Sequence, residues 1–324
     1  MSSGPSWERE YRAARNACGF YPVTGRVLTA LTGEERSSFL HGMVVSDINN
    51  ALEYSWTISA FLNPKGKMIS DMALYHLRGA IWIETGRGLR EMVETTLRRY
   101  ALRAAIRFED LSKNWAMLDI VGPDSGGQLG SVPEPGQVIE LPLEGSTTFL
   151  ARTDLPFRPS LRWLVPAELA QAAADRLQAG GAARLDPEAS AALRMEAGIP
   201  IFGTDVTTDN LAPEVPLYQQ GISYEKGCYI GQETVARLHA RGGKTARNLR
   251  GILSDSSPAA GSPILAAGKQ VGAITSTTWS PAAGRYLSLA MVHRSAMESG
   301  TKVEIGGSEQ ATSGTVTELP YQEG

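Results

Sequence analysis

At 324 residues the chain is long enough to bury a sizeable core and to form two or three domains. A composition of 42% hydrophobic and 20% charged residues with a formal charge of −3 is ordinary for a globular protein in water, and it excludes an overall attraction to nucleic acid or to anionic membranes. Two distant cysteines, Cys18 and Cys228, and the scattered His41, His76, His239 and His293 give neither a disulfide framework nor metal-ligand spacing, so no structural metal is expected.

Glu8 and Glu10 precede any apolar run, and no stretch has the length of a membrane span, which points to the cytoplasm and to no membrane partner. Trp7, Tyr11 and Ala14 fall at helical spacing. Val27 to Leu31 reads as a strand, and Thr32-Gly33-Glu34-Glu35 has the spacing of a capping box for a helix through Phe39 and Leu40. Ser55 to Asn63 and Lys67 to Leu77 are apolar runs joined by Pro64-Lys65-Gly66, which predicts a hairpin. On its second arm Ile69, Asp71, Ala73 and Tyr75 share one face and Met68, Ser70, Met72, Leu74 and His76 the other. Both faces are largely apolar, so the strand is expected to be covered on both sides. Asp71 is then a carboxylate in a mostly hydrophobic surface, where an acid needs a fixed partner or a ligand.

A strand at Ala80 to Thr85 is followed by a helical stripe through Leu89, Val93, Leu97 and Tyr100. Strands at Ile106 to Leu111 and Trp115 to Val121 complete an α+β portion of ferredoxin-like type. Residues 122 to 136 read as a linker, with further strands at Thr148 to Arg152 and Arg162 to Val165 and a helix from Ala167 to Gln178. Asp186-Pro187 is a helix start, and Glu196 lies on the apolar stripe of that helix with Ala189, Ala192 and Leu193. A carboxylate there is either satisfied within the protein or awaits a ligand. Thr204 to Gly221 is polar and proline-containing and reads as a surface loop.

The stretch with the most chemistry is Lys226-Gly227-Cys228-Tyr229-Ile230-Gly231-Gln232-Glu233. A cysteine reacts or ligates as its thiolate, which a neighbouring cation such as Lys226 favours. Gly227 and Gly231 permit turns closed to other residues, so Cys228 is expected on a presented loop. Arg237, Arg241, Lys244, Arg247 and Arg250 follow with no acid before Asp255, a run that fits a folate's acidic tail or an RNA phosphate equally. Beyond Gly242-Gly243, short apolar runs at Leu249 to Leu253, Val271 to Thr277, Tyr286 to Val292, Lys302 to Ile305 and Thr315 to Leu319 predict a small β-barrel or sandwich. The expected domains are therefore residues 1–242 and 243–324.

The octapeptide K-G-C-Y-I-G-Q-E resembles the signature of the YgfZ family, folate-binding paralogues of the glycine-cleavage T-protein. Leu193 to Pro200, Val271 to Ser276 and Trp279-Ser280-Pro281 resemble segments shared with the T-protein itself. The resemblance implies an α+β folate-binding body of two intertwined subdomains followed by a small C-terminal β-barrel. It also implies tetrahydrofolate or a derivative as cofactor, and support of iron–sulfur cluster assembly or repair with client or assembly proteins as partners. By resemblance Glu196 and Asp71 contact the folate, with Tyr229, Gly231, Gln232 and Arg237 lining its site. Cys228 is the functional thiol, tuned by Lys226. Where the T-protein has two adjacent acids this chain has Ser70-Asp71, which counts against the alternative of an aminomethyl or demethylation transferase. A tRNA-modification factor is the remaining alternative.

Overall fold

The computed structural model describes residues 6–155, 160–306 and 311–322. In chain order the first half contains α1 (Glu8–Asn16), β1 (Gly19–Pro22), β2 (Arg26–Thr32), α2 (Arg36–His41), β3 (Ser55–Leu62), β4 (Met68–Leu77), β5 (Ala80–Gly86), α3 (Arg90–Tyr100), β6 (Arg107–Asp110) and β7 (Trp115–Val121). Next come β8 (Val138–Leu143), β9 (Ser146–Arg152), β10 (Ser160–Pro166), α4 (Ala170–Ala179), β11 (Ala183–Arg184), α5 (Pro187–Glu196), the short α6 (Pro216–Gln219) and α7 (Gln232–Ala240). The last part is all strand: β12 (Arg247–Ser254), β13 (Pro263–Ala266), β14 (Lys269–Ser280), β15 (Arg285–His293), β16 (Lys302–Ile305) and β17 (Thr312–Thr317).

Two sheets stack in the body. The first has the order β3-β4-β5-β2-β6 and the second β11-β1-β7-β10-β9-β8. Between them Leu28, Ala30, Ala73, Tyr75 and Trp82 of the first sheet meet Met117, Val138, Ala151 and Leu164 of the second, and Trp82, Trp115 and Phe149 pack edge to face or tilted. The outer face of the first sheet is closed by α2 and α3 through Leu40, Val93 and Leu97, and that of the second by α4 through Ala173, Ala174 and Leu177. Helix, sheet, sheet, helix is thus the layer order. Strand β4 is covered on both sides as its pattern requires: Met72 and Leu74 pack under the helices, Ala73 and Tyr75 between the sheets.

The β3–β4 turn forms at the expected place, with Gly66 at φ +79 and its N–H donated to Asn63 O at 2.8 Å. The capping box does not form. Thr32 ends β2, and Glu35 accepts instead from the Ala105 amide at 2.5 Å, because the chain before β6 lies across that helix start. Asp186 is the N-cap residue of α5 with Pro187 next, though its side chain makes no capping bond.

Strands β12-β15-β14-β13-β16-β17 close into a barrel around Ile252, Ile264, Ile274, Val292, Val303 and Val316. The barrel packs on the body through Leu249, Leu287, Leu289 and Leu319, which meet Ala60, Leu62, Met68, Met195, Tyr218 and Tyr229. The expected surface loop 204–221 lies in this seam. Val206, Ala212, Val215 and Tyr218 are fully buried there, since the proline-bearing turns of 212–219 fill the angle between body and barrel. Its polarity reflects internal hydrogen bonds, such as Asn210 Nδ2 to Glu214 Oε2 at 2.9 Å.

Candidate functional site

The cysteine segment runs from the body into α7 and is docked on the β3–β4 turn. Gly231 caps α7 at φ +81, and a Cβ there would stand 2.5 Å from Asn63 O and 3.0 Å from the Gly66 Cα. Both glycines are therefore fixed by close backbone approach. Thr234 Oγ1 donates to Lys65 O at 3.0 Å, and the Ile230 amide to Gly42 O at 3.2 Å. Tyr224 stacks on His239 of α7 with centroids 3.8 Å apart. Cys228 is exposed on this held loop, whereas Cys18 is buried and burial, with Asp124 nearby, pushes its thiol up to about 12.

Lys226 does something other than expected. Its ammonium is buried and donates to three carbonyls, His41 O at 2.5 Å, Val44 O at 2.7 Å and Ser46 O at 2.8 Å, while lying 4.8 Å from the Tyr229 ring centroid. Burial, with Asp47 acting against it, brings the ammonium from 10.5 down to about 8. All three donors are spent on the 41–46 segment, so Lys226 acts as a tie between that segment and the cysteine loop. No described hydrogen bond joins it to Cys228. Tyr229 is buried beside it, and burial lifts its phenol to about 12. Gln232 opens α7, with its N–H on Tyr229 O at 3.2 Å. Arg237 is exposed on α7, and with Arg241 and Lys244 it has no ion pair within 4.0 Å among the described residues. Arg247 and Arg250 are already engaged, the first with Glu214 and the second with Met297 O.

Asp71 sits elsewhere, on the inner face of β4 where the two sheets meet. Its Oδ2 accepts from Arg26 Nη1 at 2.7 Å. Arg26 Nε also bonds Glu84, and Glu84 accepts from Arg162 Nη1 at 2.5 Å and from Tyr75 Oη at 2.6 Å. Arg162 closes the chain with a fork onto Asp119 at 2.6 and 2.8 Å. Burial alone would raise the Glu84 carboxyl; Arg162 and Arg26 beside it hold it near 2. Three acids face two arginines in this network. The surplus falls at its end, where Asp71 Oδ1 is buried and has no hydrogen-bond partner. Tyr218 from α6 faces the same carboxylate, and burial with Asp71 beside it keeps its phenol well above the ordinary range. Gly221 makes this approach possible, since a Cβ there would meet Ile58 O of β3 at 2.2 Å.

Glu196 is buried on its helix stripe, as its position implies, but its oxygens are occupied. Oε2 accepts from Tyr11 Oη at 2.7 Å, and Oε1 from Ser280 Oγ at 2.6 Å and the Ala282 amide at 3.4 Å. The carboxyl thus ties α1, α5 and the end of β14 together, with burial raising it above the usual range. A folate bonded to Glu196 would have to share the carboxylate with these partners or displace them. Asp205 forms a second tie: its Oδ2 accepts from the Ile201 amide at 2.8 Å, and its Oδ1 from Thr275 and Ser276 of the barrel at 2.7 and 2.5 Å.

The sequence reading brought forward Asp71 and Cys228 but missed Arg26, Glu84, Arg162 and Tyr218. Alternation along the strands places Glu84 and Arg162 on inward faces, which is the signal that would have found them. Tyr218 carries no such signal. Among the described residues, no group of three or more His, Cys, Asp or Glu is arranged to hold a metal, and no helix is long and apolar enough to cross a membrane.

The fold has counterparts among known proteins. The family described as "GCVT N-terminal domain" matches residues 2–138, and "Glycine cleavage T-protein C-terminal barrel domain" matches 247–322. The chain is 27% identical over 340 residues to an aminomethyltransferase of Rippkaea orientalis, spanning 96% of this chain and 88% of that protein. It is 30% identical over 222 residues to the tRNA-modifying protein YgfZ of Escherichia coli, covering 66% of each. The solved structure of glycine cleavage system aminomethyltransferase T from Bartonella henselae superposes with a TM-score of 0.85 at 20% identity, over 97% of this chain and 89% of that one, and shows the shared fold. A T-protein-like body and barrel that carry the K-G-C-Y-I-G-Q-E loop make this chain a member of the YgfZ family of T-protein-like proteins.

Proposed function

We propose that this chain is a cytoplasmic folate-binding protein that supports assembly or repair of iron–sulfur clusters in client enzymes. The observation that carries the folate part is the unpaired Asp71 Oδ1, a buried acceptor at the surplus-negative end of an ion-pair network inside a T-protein-like fold. A buried acceptor without a donor costs roughly 1–3 kcal/mol, which an N–H of a bound pterin removes. Reduced folate supplies one-carbon acceptor chemistry when bound. The residues of this chain hold it: Arg26 fixes Asp71, and the free cations Arg237, Arg241 and Lys244 offer an attachment for its acidic tail. Cys228 serves as the functional thiol towards the client, on a loop whose rigidity comes from Lys226, Gly231 and the Gln232–Tyr229 turn. The reading divides the chain into a folate-binding body, residues 1–242, and a barrel, 243–324, whose seam residues close over the site.

The test is restoration of a cluster-dependent client enzyme in cells lacking this protein. Wild type restores client activity and Cys228→Ser does not; full restoration by Cys228→Ser would remove the thiol from the function. A transferase reading is favoured by the identity with an aminomethyltransferase across 96% of the chain. Folate-dependent release of ammonia or formaldehyde from an aminomethyl donor, at a rate that Asp71→Asn abolishes, would establish it in place of the first. The name of the Escherichia coli relative adds tRNA as a third partner; its binding would fall steeply with salt, because phosphate contacts release counterions.

A further inference from the structure

A cavity of about 370 Å³ lies between the turn after β2 and the chain entering β6, walled by residues 32–34 and 104–107. Its volume falls within the range of about 300–1,000 Å³ usual for small-molecule sites. Both walls are fixed through the backbone. Gly33 has φ +107 and a Cβ there would collide with Ala105 O, while Glu35 Oε2 accepts from the Ala105 amide at 2.5 Å and Arg36 Nη1 donates to Gly33 O at 2.9 Å. Thr32 stands opposite Arg107 in the β2–β6 pairing. Glu34 and Arg107 both line the cavity and are exposed, yet among the described residues neither has a hydrogen bond or an ion pair, with the other or with any third group. Cations prevail in the chain leading into the second wall. Between Glu94 and Glu109 the sequence holds Arg98, Arg99, Arg103 and Arg107 and no acid. Arg98 is spent on Glu94 and on the face of the Phe108 ring, whereas Arg99 and Arg103 are exposed and without an ion pair among the described residues. An open carboxylate beside open guanidinium groups suits a ligand that carries both an N–H edge and an anion.

We infer that this cavity binds a guanosine phosphate, with the base read by Glu34 and the phosphate held by Arg107 and Arg103. The Watson–Crick edge of guanine presents a ring N–H and an amino N–H side by side, and an ionised carboxylate accepts both in a planar, charge-assisted pair. Adenine sets a ring-nitrogen lone pair where one of those donors must stand. A site built to hydrogen-bond two donors rejects such an analogue. Guanidinium forks match the oxygens of a phosphate, so Arg107 and Arg103 bind without regard to the base. The same chemistry reaches the cavity from a free nucleotide or from an unpaired guanosine of an RNA chain, whose Watson–Crick edge is open. The site is independent of the folate reading. It lies before the start of α2, whereas the His41 carbonyl held by Lys226 lies at the end of that helix.

The experiment is calorimetry of the full chain with GDP, ADP, inorganic pyrophosphate and the RNA pentanucleotides UUGUU and UUAUU. Wild type is expected to bind the guanine member of each pair at least about tenfold more tightly than the adenine member, and GDP more tightly than pyrophosphate. Glu34→Gln is expected to remove the guanine preference, because one of the two acceptors becomes a donor. Arg107→Ala is expected to weaken GDP and ADP alike by about tenfold. Both side chains are exposed, so the variants are expected to fold, and the wild-type preference is measured without a variant. Tighter binding of GDP than of UUGUU supports the site with a free nucleotide as occupant, and the reverse order supports it with RNA. Equal binding of guanine and adenine forms, or of pyrophosphate and GDP, overturns the assignment. A guanine preference that survives Glu34→Gln overturns it too. Absence of binding by GDP and UUGUU at about 1 mM overturns it and leaves the folate reading untouched.

Discussion

Replacing Lys226 by methionine separates two roles that a lysine two residues from a cysteine can have. The substitution keeps most of the aliphatic volume and removes the donors to His41 O, Val44 O and Ser46 O. Hydrogen bonds to a charged group contribute roughly 1.5–3 kcal/mol each. Against that loss stands the burial that lowers the ammonium from 10.5 to about 8. At 1.36 kcal/mol per pH unit, that cost of about 3 kcal/mol disappears with the charge. The net expectation is a loss of about 1.5–6 kcal/mol. It should appear first in the loops that Lys226 joins, where the amides of Ser223 and Ile230 bond Val45 O and Gly42 O. Hydrogen exchange read by mass spectrometry should show these amides opening in Lys226→Met. Alkylation of Cys228 by iodoacetamide at neutral pH should be unchanged or faster, since the thiol is exposed and its loop is looser. Unchanged exchange with alkylation slowed by about tenfold would refute the reasoning, and would return Lys226 to the role of activating the thiol.

Glu196→Ala removes the acceptor shared by Tyr11 and Ser280 and should cost about 2–4 kcal/mol, visible as a lower urea midpoint; a variant of wild-type stability with impaired folate binding would make Glu196 a ligand contact instead. Gly231→Ala forces a Cβ to 2.5 Å from Asn63 O at φ +81, and should cost roughly 1–3 kcal/mol and expose the loop to limited proteolysis, with Gly227→Ala, whose nearest neighbour is 4.0 Å away, as the mild control. His76 is buried and its imidazole lowered by burial from 6.5 to about 4. The unfolded chain therefore takes up this proton first as pH falls, so stability drops between about 6.5 and 4, by about 3 kcal/mol at most, and is unaffected above. His76→Phe should flatten that limb of the stability–pH curve; an unchanged slope would contradict the assignment.

Strand alternation and turn chemistry made much of the fold legible. The runs on either side of Pro64-Lys65-Gly66 gave the hairpin and the two covered faces of β4, and the glycine-spaced runs after Gly243 gave most of the barrel strands. Strand β13 was missed because it opens on Pro263, directly after Gly261-Ser262, a sequence that reads as a turn. The site was legible where a residue's type conflicted with its surroundings, as for Asp71 on an apolar face. It was illegible where the outcome depended on distant partners. Lys226 reaches carbonyls about 180 residues away, Glu196 meets Tyr11 and Ser280 from the two ends of the chain, and Arg162 meets Glu84 across the sheet interface. No local pattern encodes which of two buried carboxylates will find its donors within the protein and which will be left open. Tyr218 shows the same limit: a polar, proline-bearing segment reads as surface until the barrel is seen to cover it.

The measurement that tests the central claim most directly is anaerobic calorimetric titration of tetrahydrofolate into wild type and Asp71→Asn. Saturable binding by wild type, weakened by Asp71→Asn at least about tenfold, near 1.4 kcal/mol, is the expected result. Equal binding by both proteins, or none by folded wild type, would contradict the claim that the open oxygen of Asp71 is the anchor of a folate site.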